Sequence, residues 1–232
     1  MSKILRLILG DQLNSNHSWF STVDDTIIYV LMEIRSETDY ANHHIQKVVG
    51  IFAAMQSFRN DLLSKNHNVI YINLNDKDNL QSFENNIQNL ILKHNFTHFE
   101  YQLPDEYRVD LDLKKICNSI SIPSSVVDTE HFFTTRNELG DFFEGKKIYL
   151  MESFYRAMRR KHNILMEGDK PLTGQWNYDG ENRKKLPKNH KPTSPLVFNN
   201  DVSKIYDEIV KTDVKTIGTI DAKNFIWPIN RK

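Results

Sequence analysis

The sequence predicts an α/β protein with a Rossmann-like, mostly parallel sheet of five strands and helices on both faces. Short apolar segments alternate with longer amphipathic ones along the first half of the chain. The connections between the apolar segments are far too long for hairpins, which is typical of parallel strands joined by crossover helices. The 232 residues can hold a domain of roughly 150 residues and an addition to it. We therefore expect an α/β domain over residues 1–150 and a helical, loop-rich extension over residues 151–232.

The first predicted strand covers residues 4–9, and Gly10 ends it before a turn that starts with Asp11. Neither a glycine-rich dinucleotide motif nor a phosphate-loop lysine motif follows this strand. A carboxylate at the turn would also repel a phosphate. The alternative for Asp11 is ordinary turn chemistry, in which an aspartate side chain accepts hydrogen bonds from nearby backbone amides.

The second predicted strand covers residues 27–31, and it is followed by a polar corner that carries Glu33, Arg35, Glu37 and Asp39. Ligands of open parallel sheets bind at the carboxyl ends of the strands. These charges are therefore placed where a ligand could use them. A solvated loop with surface charges is equally compatible with the spacing, because most connecting segments are exposed.

A long amphipathic helix is predicted over residues 40–63, because apolar residues recur there at spacings of three and four. The pair His43 and His44 in its first turns raises the question of a metal site. Adjacent residues on a helix point about 100° apart, so they do not face one ligand. No third ligand stands at a suitable spacing, and we expect no metal.

The later elements continue the alternation and then give way to a basic, turn-rich region. Pro104, Asp105 and Glu106 open one helix, where a proline and acids suit the helix dipole. Residues 168–195 are polar and rich in turns. The remaining predicted elements are strands at residues 69–74, 97–101 and 124–127 and helices at residues 79–93, 104–117, 151–166 and 202–210.

Composition excludes several classes of protein. Thirty basic and thirty acidic residues cancel, so no global field draws the chain to DNA or to an anionic membrane. The single cysteine, Cys117, permits neither an intrachain disulfide nor a four-cysteine metal site within this chain. We expect a cytoplasmic protein without a membrane partner, because no apolar stretch reaches the length of a bilayer span and no secretory pattern begins the chain.

Five motifs in the same order resemble one family. They are LGDQL at residues 9–13, the acids Glu33 and Glu37, PDEYR at residues 104–108, FYRAMRRK at residues 154–161 and WNYDGENR at residues 176–183. Together they resemble the photolyase-related proteins of bacteria, the iron–sulfur cryptochromes and (6-4) photolyases, over essentially the whole chain. Small departures occur at Thr173 and Gly180, where the family tends to have glycine and alanine.

The resemblance implies a role in light capture. Full members of the family are about twice as long, and their helical C-terminal half binds FAD and supplies four cysteines to a 4Fe–4S cluster. This chain resembles the N-terminal α/β domain, which in the family binds the antenna chromophore 6,7-dimethyl-8-ribityllumazine. We therefore expect a chromophore-binding domain of a DNA-repair or cryptochrome flavoprotein, with no catalytic residues of its own. Its expected partners are the helical flavin domain and, through the parent protein, damaged DNA.

The resemblance also marks the expected chromophore contacts, with Ile51 as an apolar wall. A ribityllumazine needs acceptors for its hydroxyl and ring N–H groups, which carboxylates supply. The matching positions are Asp11, Gln12, Met32, Glu33, Ile34, Arg35, Ser36, Glu37, Thr38, Asp39, Tyr40, Ile51 and Glu106.

A basic segment forms the second expected site, for contact with DNA or with the flavin domain. Its residues are Arg156, Arg159, Arg160, Lys161, Trp176, Arg183, Lys184 and Lys185. A solvated face that pairs with local acids is an equally good interpretation. The alternative for the whole chain is a stand-alone small-nucleotide-binding or interaction domain that keeps the fold without light chemistry.

Overall fold

The structure, a computed structural model, describes residues 2–231, and its elements follow the predicted order. The strands are β1 (Ile4–Leu7), β2 (Ile27–Met32), β3 (His43–His44), β4 (Asn68–Ile72), β5 (His98–Gln102), β6 (Ser124–Val127), β7 (Met166–Glu167), β8 (Lys170–Pro171) and β9 (Thr216–Ile217). The helices are α1 (Arg35–Thr38), α2 (Ile45–Ser64), α3 (Phe83–His94), α4 (Tyr107–Ser119), α5 (Glu138–Phe143), α6 (Met151–Lys161) and α7 (Ser203–Lys211).

Five parallel strands form the central sheet in the order β4-β2-β1-β5-β6, which confirms the predicted fold class. In the register of β1, Ile4 lies opposite Ile27 of β2 on one side and His98 of β5 on the other. The chain therefore adds β2 and β4 on one side of β1 and then β5 and β6 on the other side. This reversal of direction opens a crevice at the carboxyl edge of the sheet.

Each face of the sheet buries its own apolar core. Alternate residues of a strand point to opposite faces, so Tyr29 and Leu31 pack with α2 and α7, whereas Val30 and Met32 pack with α3 and α4. Both cores contain fully buried side chains, and helices cover both faces as predicted. Among the helices described for residues 2–231, none is long and apolar enough to cross a bilayer.

The long helix begins later than predicted, at Ile45 rather than residue 40. His44 occupies its N-cap position, where the side chain accepts a hydrogen bond from the backbone N–H of Gln46. His43 and His44 form β3, which pairs in parallel with β9. Gly218 makes this approach possible, because its φ is +79° and a Cβ there would lie 1.9 Å from His44 Nε2. Pairing with a segment far along the chain thus replaces the first predicted helical turn.

The chain divides into two compact units, residues 2–131 with 197–231 and residues 132–196. This division differs from the expected boundary at residue 150, because the C-terminal segment packs onto α2. Phe225 lies against Gly50, where an added Cβ would be 3.3 Å from the ring, and Trp227 Nε1 donates to Gln46 Oε1 at 2.9 Å. The linker role expected for residues 151–232 stays a prediction.

In the second unit, α6 ends at Lys161 rather than at the predicted residue 166. Asn163 and Leu165 adopt left-handed φ angles of 52° and 51°, which end a helix. Two short antiparallel strands follow, with β7 at the end of the predicted helix and β8 within the segment expected to be rich in turns.

Candidate ligand site

A cavity of about 220 Å³ lies at the carboxyl edge of the sheet, within the first unit. It is built from the segments that follow β1, β2 and β5 and from one side of α2. Its walls are mostly apolar, and its polar groups stand at few positions, as in small-molecule sites. The lining residues are Ile8, Leu9, Gly10, Asp11, Met32, Ile34, Glu37, Thr38, Tyr40, His43, Lys47, Val48, Ile51, Phe52, Met55, Phe83, Pro104, Glu106 and Val109.

Gly10 sets how closely the turn after β1 approaches α2. A Cβ at this position would lie 2.8 Å from Ile51 Cγ2 and 3.2 Å from Met55 Sδ. Any larger residue would therefore push the two apolar side chains into the cavity or away from the turn. The glycine serves close packing here rather than phosphate binding.

One side of the cavity mouth is held by Arg108. Its guanidinium donates to both oxygens of Glu37, at 2.9 and 3.2 Å, and to Glu106 at 2.7 Å. It also lies 4.2 Å from the ring centre of Tyr40. The hydrogen bonds to Glu37 and Glu106 raise the pKa of Arg108 above its ordinary value, so the guanidinium stays charged and fixes both carboxylates.

The mouth also carries His43 and Lys47, next to Tyr40. Lys47 Nζ lies 3.3 Å from His43 Nδ1, and the His43 ring packs edge-on against Tyr40 at 4.8 Å. Burial and the charge of Lys47 lower the pKa of His43. The imidazole is therefore neutral at neutral pH and can accept or donate a hydrogen bond.

Asp11 stands where the turn after β1 meets the mouth. The residue is exposed, but partial desolvation and the nearby negative charge of Asp105 raise the pKa of this carboxyl. Asp105 itself accepts a hydrogen bond from His131 at 2.9 Å. Asp11 is thus a hydrogen-bonding group at the mouth whose charged form is less favoured than usual.

The structure brings many of the predicted contacts together in this cavity. Asp11, Met32, Ile34, Glu37, Thr38, Tyr40, Ile51 and Glu106 all line it. Gln12, Glu33, Arg35, Ser36 and Asp39 do not.

Glu33 lies behind the cavity, and only 1 % of it is exposed. Its carboxylate accepts hydrogen bonds from Tyr71 at 2.5 Å, from Gln56 at 3.0 Å and from the backbone N–H of Leu74 at 3.0 Å. All of these partners are protein groups, and the expected contact of Glu33 with a chromophore stays a prediction.

Gln12 and Arg35 are also held by the protein itself. The Gln12 amide accepts from the backbone N–H of Leu9 and donates to the carbonyls of Gln102 and Leu103. Arg35 donates to Asp39 and to the carbonyl of Thr212, beyond α7. Both side chains therefore hold the fold together at positions where the sequence predicted ligand contacts.

Several lining residues were missed by the sequence analysis. His43 and Lys47 stand four residues apart, a spacing that would have placed them on one helix face. Phe83 and Val109 come from the first turns of α3 and α4 and reach the cavity only through the tertiary fold. Among residues 2–231, no three His, Cys, Asp or Glu side chains are grouped as a metal site.

The predicted basic site lies in the second unit, and its members have different surroundings. Arg159 is only 6 % exposed and donates to the carbonyls of Ile164, Leu165 and Trp176. Its donors are thus occupied by backbone carbonyls, and its expected role in contact with DNA or with the flavin domain stays a prediction. The Arg160 guanidinium is exposed and lies 4.6 Å from the Trp176 ring centre.

The other basic side chains differ in their contacts. Arg156 pairs with Glu152 at 2.9 Å and stacks on Trp176, and Lys161 pairs with Glu138. The segment Arg183, Lys184 and Lys185 is exposed.

The chain is similar to one protein family and to two further proteins. The family model described as deoxyribodipyrimidine photo-lyase-related protein matches residues 6–225. A (6-4) photolyase of Agrobacterium fabrum is 35 % identical over 236 residues, which cover 100 % of this chain and 46 % of that protein. An uncharacterized protein of Acanthamoeba polyphaga mimivirus is 23 % identical over 174 residues, covering 71 % of this chain and 85 % of the viral protein. The chain thus spans about half the length of the photolyase that it matches.

Proposed function

The chain belongs to the deoxyribodipyrimidine photo-lyase-related family, and we propose that it serves there as an antenna domain that binds 6,7-dimethyl-8-ribityllumazine. The observation that carries the proposal is the apolar cavity at the carboxyl edge, with carboxylates at its mouth. Such a cavity suits a flat heterocycle with a hydroxylated chain and disfavours a phosphate.

Different residues of the cavity would bind different parts of the ligand. Ile51, Phe52 and Met55 of α2 offer an apolar wall for the ring system and exclude water from it. Glu37 and Glu106 are acceptors for hydroxyl and N–H groups, and Arg108 holds their orientation. Hydrogen bonds to charged acceptors contribute about 1.5–3 kcal/mol each. When bound, the lumazine would absorb near-ultraviolet or blue light and pass the excitation to a flavin.

In this proposal the chain is one part of a longer light-dependent protein. FAD and the 4Fe–4S cluster would be held by a separate helical half, and repair of (6-4) lesions or signalling would belong to the whole protein. The cytoplasm is the proposed location.

The exposed cations of the second unit support a further part of the proposal. Arg160, Arg183, Lys184 and Lys185 would neutralise DNA phosphates or contact the flavin domain, with Trp176 as an apolar anchor. Phosphate contacts of this kind position a protein on a duplex without reading its sequence.

A stand-alone domain without light chemistry is the second candidate. The mimivirus relative favours it, because the alignment covers 85 % of that protein and so leaves little room for a flavin domain there. Small nucleotides are the less suitable ligands, since the carboxylates Asp11, Glu37 and Glu106 outnumber the cations Lys47 and Arg108 at the mouth.

Titration with four ligands separates the two candidates. We expect 6,7-dimethyl-8-ribityllumazine to change its fluorescence on binding and, at about 100 times Kd, to stabilise the fold by roughly 2.7 kcal/mol. Riboflavin should bind more weakly, and FMN and AMP weakest. Tight binding of AMP or FMN but not of lumazine would instead support the nucleotide-binding candidate.

Two substitutions at one position test the cavity itself. Ile51→Trp should abolish lumazine binding by filling the cavity, whereas Ile51→Val is the matched control that leaves it open. Equal affinity in both variants would show that the ligand binds at another site.

A further inference from the structure

Arg108 joins two sides of the cavity mouth without lining the cavity. Glu37 and Tyr40 belong to the corner after β2, whereas Glu106 belongs to the segment after β5. The guanidinium contacts all three of these lining side chains. It is therefore a bridge between segments separated in sequence, laid across the entrance of the cavity.

The corner that this bridge holds is attached at both of its ends, and at the far end His43 and His44 pair with β9. Its first half is tied down, because Ser36 N donates to the carbonyl of Gln81 and Arg35 donates to that of Thr212. Residues 39–42 are exposed, and residues 39–41 form bends. The centre of the Tyr40 ring lies 4.2 Å from the Arg108 guanidinium and 4.8 Å from the centre of the His43 ring.

The bridge can also open at small cost. The side chains of Arg108 and Glu37 are 32 % and 30 % exposed, so water can replace each partner when they separate. A fully buried pair would not separate in this way, because each charge would be left without compensation. Bidentate geometry makes the closed form specific to arginine.

We propose that Arg108 is a latch that controls the entry and release of the ligand by closing the corner at residues 39–42 over the cavity. The inference rests on the proposed function, whose ligand is the heterocycle with a hydroxylated chain. Opening breaks the two bonds to Glu37 and the stacking on Tyr40, and closing restores them after the ligand has entered. In this proposal the bridge forms both with and without the ligand, and Arg108 therefore acts on rates more than on affinity.

Stopped-flow fluorescence with 6,7-dimethyl-8-ribityllumazine tests the latch. We expect Arg108→Ala to raise the association and dissociation rate constants together by about tenfold, the factor that corresponds to the loss of one good charged interaction. Arg108→Lys should be intermediate. Lys115→Ala is the control, since it removes a cation from the exposed side of the same helix, where Lys115 pairs with Asp112 at 3.5 Å.

Unchanged rates in Arg108→Ala would overturn the latch, and so would a faster dissociation with an unchanged association rate, which would make Arg108 a ligand contact. Hydrogen exchange on the ligand-free protein gives an independent result. The amides of Glu37 and Asp39, which donate to the carbonyls of Ile34 and Arg35, should exchange faster in Arg108→Ala and not in Lys115→Ala.

The two readouts also separate the latch from the proposed function. If the wild-type chain binds no lumazine, the proposed function fails, and hydrogen exchange still decides whether Arg108 holds the corner. Unaltered exchange would then overturn the latch as well.

Discussion

The hydroxyl of Tyr71 donates a 2.5 Å hydrogen bond to the carboxylate of Glu33, inside the carboxyl edge of the sheet. Gln56 of α2 and the backbone of Leu74 bind the same carboxylate, and Asn79 binds the carbonyl of Glu33 at 2.7 Å. One acid thus ties α2 to the strand β4 and to the loop that follows it. Because α2 forms a wall of the cavity, this network fixes the position of that wall.

Removing the Tyr71 hydroxyl should destabilise the protein. We expect Tyr71→Phe to lower the free energy of unfolding by about 1–3 kcal/mol, the usual cost of leaving a buried polar group without a partner. Urea denaturation measures this change. Tyr107→Phe is the control, since the Tyr107 side chain is 76 % exposed, and a similar loss in both variants would contradict the role given to the Glu33 network.

The same network should make stability depend on pH. Burial raises the pKa of Glu33 above its ordinary value of 4.5, so the folded protein holds a proton that the unfolded chain releases. This contribution is fully present below pH 4.5 and is lost as the pH rises through the folded pKa. In Glu33→Gln this loss should be absent, and the stability of the variant relative to wild type should rise with pH. Parallel stability curves in urea from acid to neutral pH would refute this.

Gly10→Ala should cost both stability and ligand affinity. The added methyl group would meet Ile51 Cγ2 at 2.8 Å, and overpacking of this kind costs about 1–3 kcal/mol. Gly140→Ala is the matched control, because nothing lies within 4 Å of a Cβ at that position. Urea denaturation and lumazine titration of both variants measure the effect. If Gly10→Ala kept the stability and the affinity of wild type, α2 would be able to move away from the turn without cost.

Arg159 and Arg160 are adjacent, but we expect different results from their removal. Arg159→Ala removes the hydrogen bonds to the carbonyls of Ile164, Leu165 and Trp176, and each hydrogen bond contributes about 0.5–1.5 kcal/mol net. Limited proteolysis should therefore cut within residues 164–176 faster in this variant. Arg160→Ala should be cut like wild type. Equal cleavage of the two variants would argue against a structural role for Arg159.

The exposed cations can be tested through the salt dependence of duplex binding, with the longest protein that the gene encodes. Changing Arg183, Lys184 and Lys185 to Ala should reduce the slope of log K against log salt by up to about 2.7, since each phosphate contact contributes about 0.9. Lys114→Ala with Lys115→Ala on α4 is the control. A slope equal to that of wild type would show that these three side chains do not contact DNA and form a solvated face.

The sequence by itself determined the sheet and the edge at which the cavity lies. Apolar runs at regular intervals predicted the five strands, since strands buried on both faces must be apolar. Long connections predicted that these strands are parallel. Parallel strands bring the segments after β1, β2 and β5 to one edge, and for this reason Asp11, Glu37 and Glu106 could be expected together.

Only the tertiary structure decided which side chains of that edge face the cavity. Glu33 and Glu37 belong to one polar corner, yet Glu33 is bound by Tyr71 and Glu37 by Arg108, which lies 71 residues away. Likewise, His43 and His44 leave the predicted helix because they pair with β9. Local sequence sets the periodicity of a segment, but the direction of each side chain at a corner depends on distant partners that come together only when the chain folds.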